Sequence, residues 1–560
     1  MKKILLLMTM VLTCVGAWAQ TFSTVEVGKY YKIKGDSQSH PWLTADMTSG
    51  GNVVVSANES DAAVFEKTTN GLRAVSTGKY LGYSNGKYTY SASEIAVELV
   101  NTGSQANSEG KYAIKSGNNW MYNNNTDGIV HESDAWLDLP RLWGFIDVSV
   151  NVQYDITDQG GNIISGTIVT YEGNEPTLPT FTGVNYSISN KVWDANAKKI
   201  TADIELNVLF PISSATATNP TMISTYNYTS MSAGNFKWYA SDNKVKVERE
   251  DEKVSNGRGI TNSNVAAHLW CIYPVVVNGE FKFQIKNFAT GQYVNSTANR
   301  NSHDDATVTL SNEVSNFTLG NRQSEGVEFI NASGKRLSVN SSGTGKGEQN
   351  VGTWDSHYGT AVTFPTISYT VTVGEVGYAS LYTPVAGTLN ATACAITEDE
   401  LHNGYVRLKE MNEGTATAIP ANQGAIVVGA GTYTFTASDV EADWSGNLLK
   451  GTAVNTYVEG EAYVLSNKNG IGLYLAELNK NASGATGTTH FLNNAGKAYL
   501  KLPTASPVKA FLFEDGETTA IETVETENAN APIYDLSGRR VLSTVKGGIY
   551  IQNGKKFVVK

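Results

Sequence analysis

The sequence predicts an all-β protein of several domains, and three observations carry that reading. Residues 148–154 and 200–206 alternate apolar and polar side chains strictly, the period of half-buried antiparallel strands. Strand-like pieces recur at similar spacing, each opening on a strand and carrying an aromatic-aliphatic pair some residues later. The convincing helical signal is confined to Thr397-x-x-Glu400 before Leu401, a capping box that predicts two turns of helix. With 560 residues the chain has room for about three to five domains.

At the N-terminus, Lys2 and Lys3 precede an apolar run over residues 4–15, and Ala17-Trp18-Ala19 stands before Gln20. This is the build of a cleavable secretory signal over residues 1–19. Cys14 reads alternatively as a lipoprotein cysteine, against which stands Thr13 where a small Gly, Ala or Ser is expected. No later stretch approaches the ~20 uninterrupted apolar residues that span a bilayer, so no transmembrane segment is expected in the mature chain.

Residues 20–147 divide into three similar pieces. The first has Lys29-Tyr30-Tyr31-Lys32-Ile33-Lys34, then Trp42-Leu43, and closes at Ala63-Val64-Phe65. The second has Gly71-Leu72-Arg73-Ala74-Val75, then Lys79-Tyr80-Leu81-Gly82. The third has Lys111-Tyr112-Ala113-Ile114-Lys115, then Trp120-Met121-Tyr122, and closes at Leu142-Trp143-Gly144-Phe145. Three four-stranded units of this size predict a β-trefoil, and the pattern resembles ricin-type lectin trefoils, whose units end on strands that fill a shared barrel core. No Gln-x-Trp triplet is present; Trp143-Gly144-Phe145 is its analogue.

Residues 148–210 are expected to form a small β-sandwich spacer, punctuated by Pro176, Pro179 and Pro211 where a central strand does not tolerate proline. A second β-trefoil-like domain is expected over 211–365. It carries Phe236-Lys237-Trp238-Tyr239 and Leu269-Trp270-Cys271-Ile272, then Phe281-Lys282-Phe283 leading to Tyr293-Val294. Its third unit has Val327-Glu328-Phe329-Ile330, Gly334-Lys335-Arg336-Leu337, Trp354 and a closing Ala361-Val362-Thr363-Phe364. Tyr80, Trp143, Tyr293 and Phe364 are assigned to the cores.

Residues 366–515 read as a β-sandwich that resembles the stalk domains standing before sorting tails in large secreted proteins. Residues 516–531 lack apolar periodicity and read as an acidic linker. Residues 532–560 alternate in two short strands, 533–536 and 548–552, with turns at Ser537-Gly538 and Asn553-Gly554. Tyr534, Asp535, Leu536, Gly538, Arg539, Val541, Gly548, Ile549, Tyr550 and Ile551 resemble the C-terminal sorting domain of the type IX secretion system. That resemblance implies export to the outside or outer surface of a Gram-negative bacterium, with the secretion machinery as one partner.

Charged residues make up 17% of the chain against a usual ~25%, while it holds 53 Gly and 28 Tyr. The net charge of −11 becomes about −13 once Lys2 and Lys3 leave, because 40 basic residues then face 53 acidic ones; this disfavours nucleic acid and anionic membrane. After Cys14 leaves, Cys271 and Cys394 fall in different expected domains, which predicts no disulfide framework.

No His-Glu-x-x-His, Gly-x-Ser-x-Gly or phosphate-binding glycine loop is present, so no enzyme and no cofactor are expected. Glu248-Arg249-Glu250-Asp251-Glu252 reads as a solvated turn, and His303-Asp304-Asp305 as three adjacent residues that do not converge on one ion. A pyranose presents an apolar CH face and a ring of hydroxyls, so its site needs an aromatic beside amide, carboxylate or imidazole groups. Two stretches have that mixture. Trp120, Tyr122, Asn124 and Asp127, followed by His131, lie in the first domain; Trp354, Asp355, His357 and Tyr358 lie in the second. Trp42 and Trp120 also stand where such folds keep core aromatics. The function expected is non-catalytic binding of host or dietary glycans. The alternatives are a protein-binding adhesin or protease inhibitor, and a non-catalytic accessory part of a glycan-degrading system.

Overall fold

The computed structural model describes residues 22–101, 110–123, 126–134, 142–214, 216, 219–227, 234–249, 259–301, 308–321, 326–339, 349–357, 359–411, 414–478, 490–514, 532–537, 539–552 and 555–558. The expected signal (1–19), the linker (516–531), Asn124, Tyr358, residues 250–252, His303-Asp304-Asp305, Gly538 and Asn553-Gly554 lie outside the described residues. The protein is all-β. Glu59–Asp61, Val265–His268 and Glu398–Glu400 are single 3-10 turns. The last is the capping box, with the Thr397 N–H donating to Glu400 at 2.9 Å, but the chain leaves it for an extended Leu401 instead of making the expected two turns.

The chain forms two compact units, Met1–Arg258 with Ala266–Ile367, and Gly259–Val265 with Ser368–Lys560. The first unit opens with twelve strands: β1 Tyr30–Gly35, β2 Trp42–Met47, β3 Val53–Ser56, β4 Val64–Lys67, β5 Leu72–Ala74, β6 Tyr80–Ser84, β7 Lys87–Ser91, β8 Glu98–Asn101, β9 Lys111–Ser116, β10 Asn119–Asn123, β11 Val130–Ser133 and β12 Leu142–Asp147. Six of them make the barrel wall through the pairs β8–β9, β9–β12, β12–β1, β1–β4 and β4–β5. The other six make the hairpins β2–β3, β6–β7 and β10–β11. Alternation sends Tyr31, Ile33 and Gly35 inward from β1. Gly35 is required there because a Cβ would stand 2.9 Å from the Trp143 ring. Trp143 is fully buried and its indole N–H donates to the Met121 carbonyl at 3.2 Å, which satisfies the ring's one polar group. Tyr80, expected in the core, is half-buried.

Next come β13 Ser149–Asp158, β14 Ile163–Tyr171, β15 Tyr186–Asp194 and β16 Lys199–Leu206, in the order β14-β13-β16-β15 with β13 and β16 parallel. This is one sheet and not the expected sandwich. Its alternating strands have a single apolar face, which must be covered. Ile156, Ile164, Ala202, Ile204 and Leu206 cover theirs by joining, through Phe181, Phe210 and Ile212, the core of the barrel that follows. The prolines fall outside the strands, as the ladder requires.

The second barrel comprises β17 Thr221–Met222, β18 Ser224–Asn227, β19 Gly234–Ser241, β20 Lys244–Arg249, β21 Leu269–Val277, β22 Glu280–Asn287, β23 Tyr293–Asn295, β24 Thr309–Ser311, β25 Thr318–Asn321, β26 Val327–Ile330, β27 Arg336–Val339, β28 Gln349–Trp354 and β29 Ala361–Thr363. Its wall closes through β17–β21, β21–β22, a bridge between Phe283 and Phe317, then β25–β26, β26–β29 and β29–β18. Its hairpins are β19–β20, β23–β24 and β27–β28. With β17 and β18 counted as one interrupted strand, this connectivity repeats that of the first barrel. Trp238 and Trp270, both fully buried, meet edge to face at 6.0 Å in its core. Tyr293 and Phe364, expected in the core, are half-buried, although Phe364 still packs on it.

The second unit contains two four-stranded sheets within Ser368–Ala437, a seven-stranded sheet with Leu401–His402 and Leu449–Thr452 at its two edges, and the pair Thr456–Glu459 with His490–Asn493. The expected sandwich over 366–515 therefore holds more than two sheets. It also takes in residues 259–265, which the sequence placed in the preceding domain. Thr261 bridges Thr370, and the Asn262 side chain donates to the Gly496 carbonyl at 3.0 Å. The C-terminal segment is a four-stranded sheet of Ile533–Asp535, Arg540–Val541, Ile549–Gln552 and Lys555–Val558, two strands more than expected. Its first turn is tied by Asp535, whose carboxylate accepts from the Ser537 and Arg539 N–H groups at 2.9 and 3.0 Å.

Candidate ligand-binding site

Several aromatics of the barrels pair with a lysine and are not open platforms. Lys34 lies over Trp42, Lys115 over Trp120 and Lys286 over Tyr293, at 5.1, 5.1 and 5.5 Å from the ring centres. Each pair is a directly opposed cross-strand pair where a wall strand meets its hairpin. The alternation that buries Met121 and Val294 leaves the preceding aromatic half-buried, whereas Trp42 and Leu43 are both buried, and in each pair the opposite lysine sets its charge over one face of the ring. Trp42 is buried in this way and Trp120 is half-buried.

Of the first predicted group, the structure brings Tyr122 and Asp127 together with His131. Tyr122 on β10 stands opposite His131 on β11, their rings stacked at 5.4 Å, and His131 Nε2 lies 2.7 Å from an Asp127 carboxylate oxygen in the connecting turn. Trp120 sits two residues along the same strand, beside Lys115. Beneath them Asn123 is fully buried, and its Oδ1 has no partner among the described residues.

The second group is organised by a residue the sequence did not single out for function. Glu328, on β26, has a side chain only 2% exposed, yet it carries a carboxylate. One oxygen accepts from His357 Nδ1 at 2.8 Å and from the Thr360 hydroxyl; the other accepts from Arg336 Nε at 2.9 Å. Burial pushes the Glu328 carboxyl up, but the bonds from Thr360, His357 and Arg336 and the Arg336 charge outweigh it and hold the group below its ordinary value. Arg336 also donates to the Asp355 carbonyl at 2.9 Å and stands opposite Trp354 across the β27–β28 ladder. Asp355 is exposed and held below its ordinary value chiefly by a hydrogen bond with Asn301, with Lys335 at 3.7 Å adding its charge. His357 is thus half in solvent and anchored from below, next to a half-buried Trp354 and an exposed carboxylate. The sequence signal for the hub was available: a lone carboxylate in an apolar strand, with an arginine where the next strand returns.

A third imidazole-carboxylate pair corrects the reading of Glu248 as part of a solvated turn. Its side chain is 19% exposed and meets the buried His268 at 3.2 Å, while His268 stacks on Tyr239 at 5.4 Å.

No family model matches the chain, and no curated protein matches it. Among solved structures the chain is similar to a mosquitocidal holotoxin at 9% identity, over 86% of this chain and 69% of that one, with a TM-score of 0.19. No described helix is long and apolar enough to cross a membrane.

Proposed function

We propose that this is a non-catalytic glycan-binding protein of the cell exterior, built on two β-trefoils and exported through its signal peptide and C-terminal sorting domain. The observation that carries the reading is the Trp354, Asp355 and His357 surface held by Glu328. It combines an aromatic ring for a sugar CH face with an imidazole and a carboxylate for hydroxyls, all oriented before a ligand arrives. Tyr122, His131 and Asp127 offer the same chemistry on the corresponding third hairpin of the first barrel. The low charged fraction, 17%, and the many tyrosines of the sequence suit a neutral sugar.

The test is a glycan array probed with the chain from Gln20 to Asp515 and with its Trp354→Ala variant. Binding that the substitution removes supports the reading; silence of the parent protein across the array overturns it.

A further inference from the structure

We propose that a slot between β25 and residues 181–185 binds a short uncharged peptide in extended form, which adds as a strand along the open edge of β25. The slot is a cavity of about 610 Å³, inside the ~300–1,000 Å³ range of ligand sites, and it lies where the four-stranded sheet meets the second barrel.

Its shape follows from a divergence of strands. β22 exchanges hydrogen bonds with Phe317, the residue just before β25, at one point: Phe283 N–H to Phe317 O and Phe317 N–H to Phe283 O, both at 2.8 Å. Past that point β22 takes a different partner: Phe281 donates to the Thr182 carbonyl at 2.8 Å, and Thr182 donates to the Gly279 carbonyl at 3.0 Å. Gly183 then turns the chain at φ +98°, with an ideal Cβ only 2.6 Å from the Phe281 carbonyl, so a side chain is excluded there. Among the described residues β25 is left without a neighbour on that side. In an antiparallel ladder the backbone groups of alternate residues face the same way. Since Phe317 faces β22, Leu319 also faces away from β26, and its N–H and C=O open into the slot. Such an edge is a template for one more strand.

The lining selects the occupant. No described lining residue is charged, and the charges beside the slot are already paired, Glu280 with Lys282 at 2.7 Å and Glu328 with Arg336 at 2.9 Å, so a charged peptide side chain entering it would lose water and have to compete for its counter-ion. Asn185 and Asn207 stand side by side at the end of the sheet, joined by a 2.9 Å backbone bond, with both residues exposed. Their side-chain amides donate and accept, as peptide groups do. Leu209, 62% exposed, supplies an apolar contact at the rim. The aromatic of the lining, Phe181, is 5% exposed, so the slot offers no ring face on which a sugar could stack. This inference does not rest on the glycan reading, and its variants lie outside Trp354, Asp355 and His357.

The test uses the full mature chain and a fluorescein-labelled, end-capped octapeptide of alternating threonine and valine, beside a version with two valines replaced by lysine. We expect the neutral peptide to raise polarisation and to slow hydrogen exchange at the Leu319 amide by about tenfold or more at saturation. Leu209→Asp should weaken the complex by about tenfold or more, and Asn185→Ala should weaken it measurably. Absence of binding, equal binding of the lysine peptide, or binding that leaves the Leu319 amide unchanged would each overturn the proposal.

Discussion

Glu328 is where a single residue carries most weight, because a buried carboxylate is tolerated only while its three donors remain in place. Replacing it by alanine leaves Arg336 without its carboxylate and Thr360 and His357 without their acceptor, and should cost about 3 kcal/mol, read as a lowered urea midpoint. Its pH signature has a definite sign. The folded-state group is held below its ordinary value of 4.5, so its stabilisation is complete above that value and is lost as pH falls through the lower, folded-state value. The stability gap between the parent and Glu328→Gln should be constant near neutrality and shrink in acid; a gap that widens in acid would contradict the assignment. The two described cysteines behave oppositely to a reactive site. Burial pushes Cys271 up to about 11 and Cys394 up to about 12. Both should resist a thiol reagent at pH 8 in the native protein and label promptly in denaturant.

At the scale of elements, what the sequence showed and what it hid divide along strand pairing. Trp354, Asp355 and His357 were legible because they are near neighbours in the chain. Glu328, Arg336 and Thr360 reach them only through the pairing of β26 with β27 and β29, and a register is not visible in one strand's composition. The same limit explains why Trp120 read as either core or platform: the lysine that covers it belongs to another strand. The strip of residues 259–265 was invisible for a stronger reason, since nothing in its composition distinguishes it from the domain on either side. Its fit in the second unit depends on Gly496, which has φ +69° and whose ideal Cβ would stand 1.9 Å from the Asn262 carbonyl. Gly496→Ala should therefore displace the strip, seen as new proteolytic cleavage within residues 259–265 at a concentration that leaves the parent intact.

For the whole molecule, duplication of the barrel matters more than either site. A lone sugar contact on a preformed surface is weak, because few groups are engaged and association entropy takes much of what they supply. On the proposed glycan reading, two clusters in one chain would convert the second contact into an intramolecular event and raise avidity by about 10²–10⁴ without any new interaction, provided both engage one surface. The expected outcome is specific. On a surface densely coated with the bound glycan, His131→Ala and Trp354→Ala should each lower retention by about a hundredfold or more, while at sparse coating the effect of either should be about twofold, because half the sites remain. If one substitution abolishes binding at both densities and the other has no effect at either, only one barrel binds, and its repetition serves the fold rather than recognition.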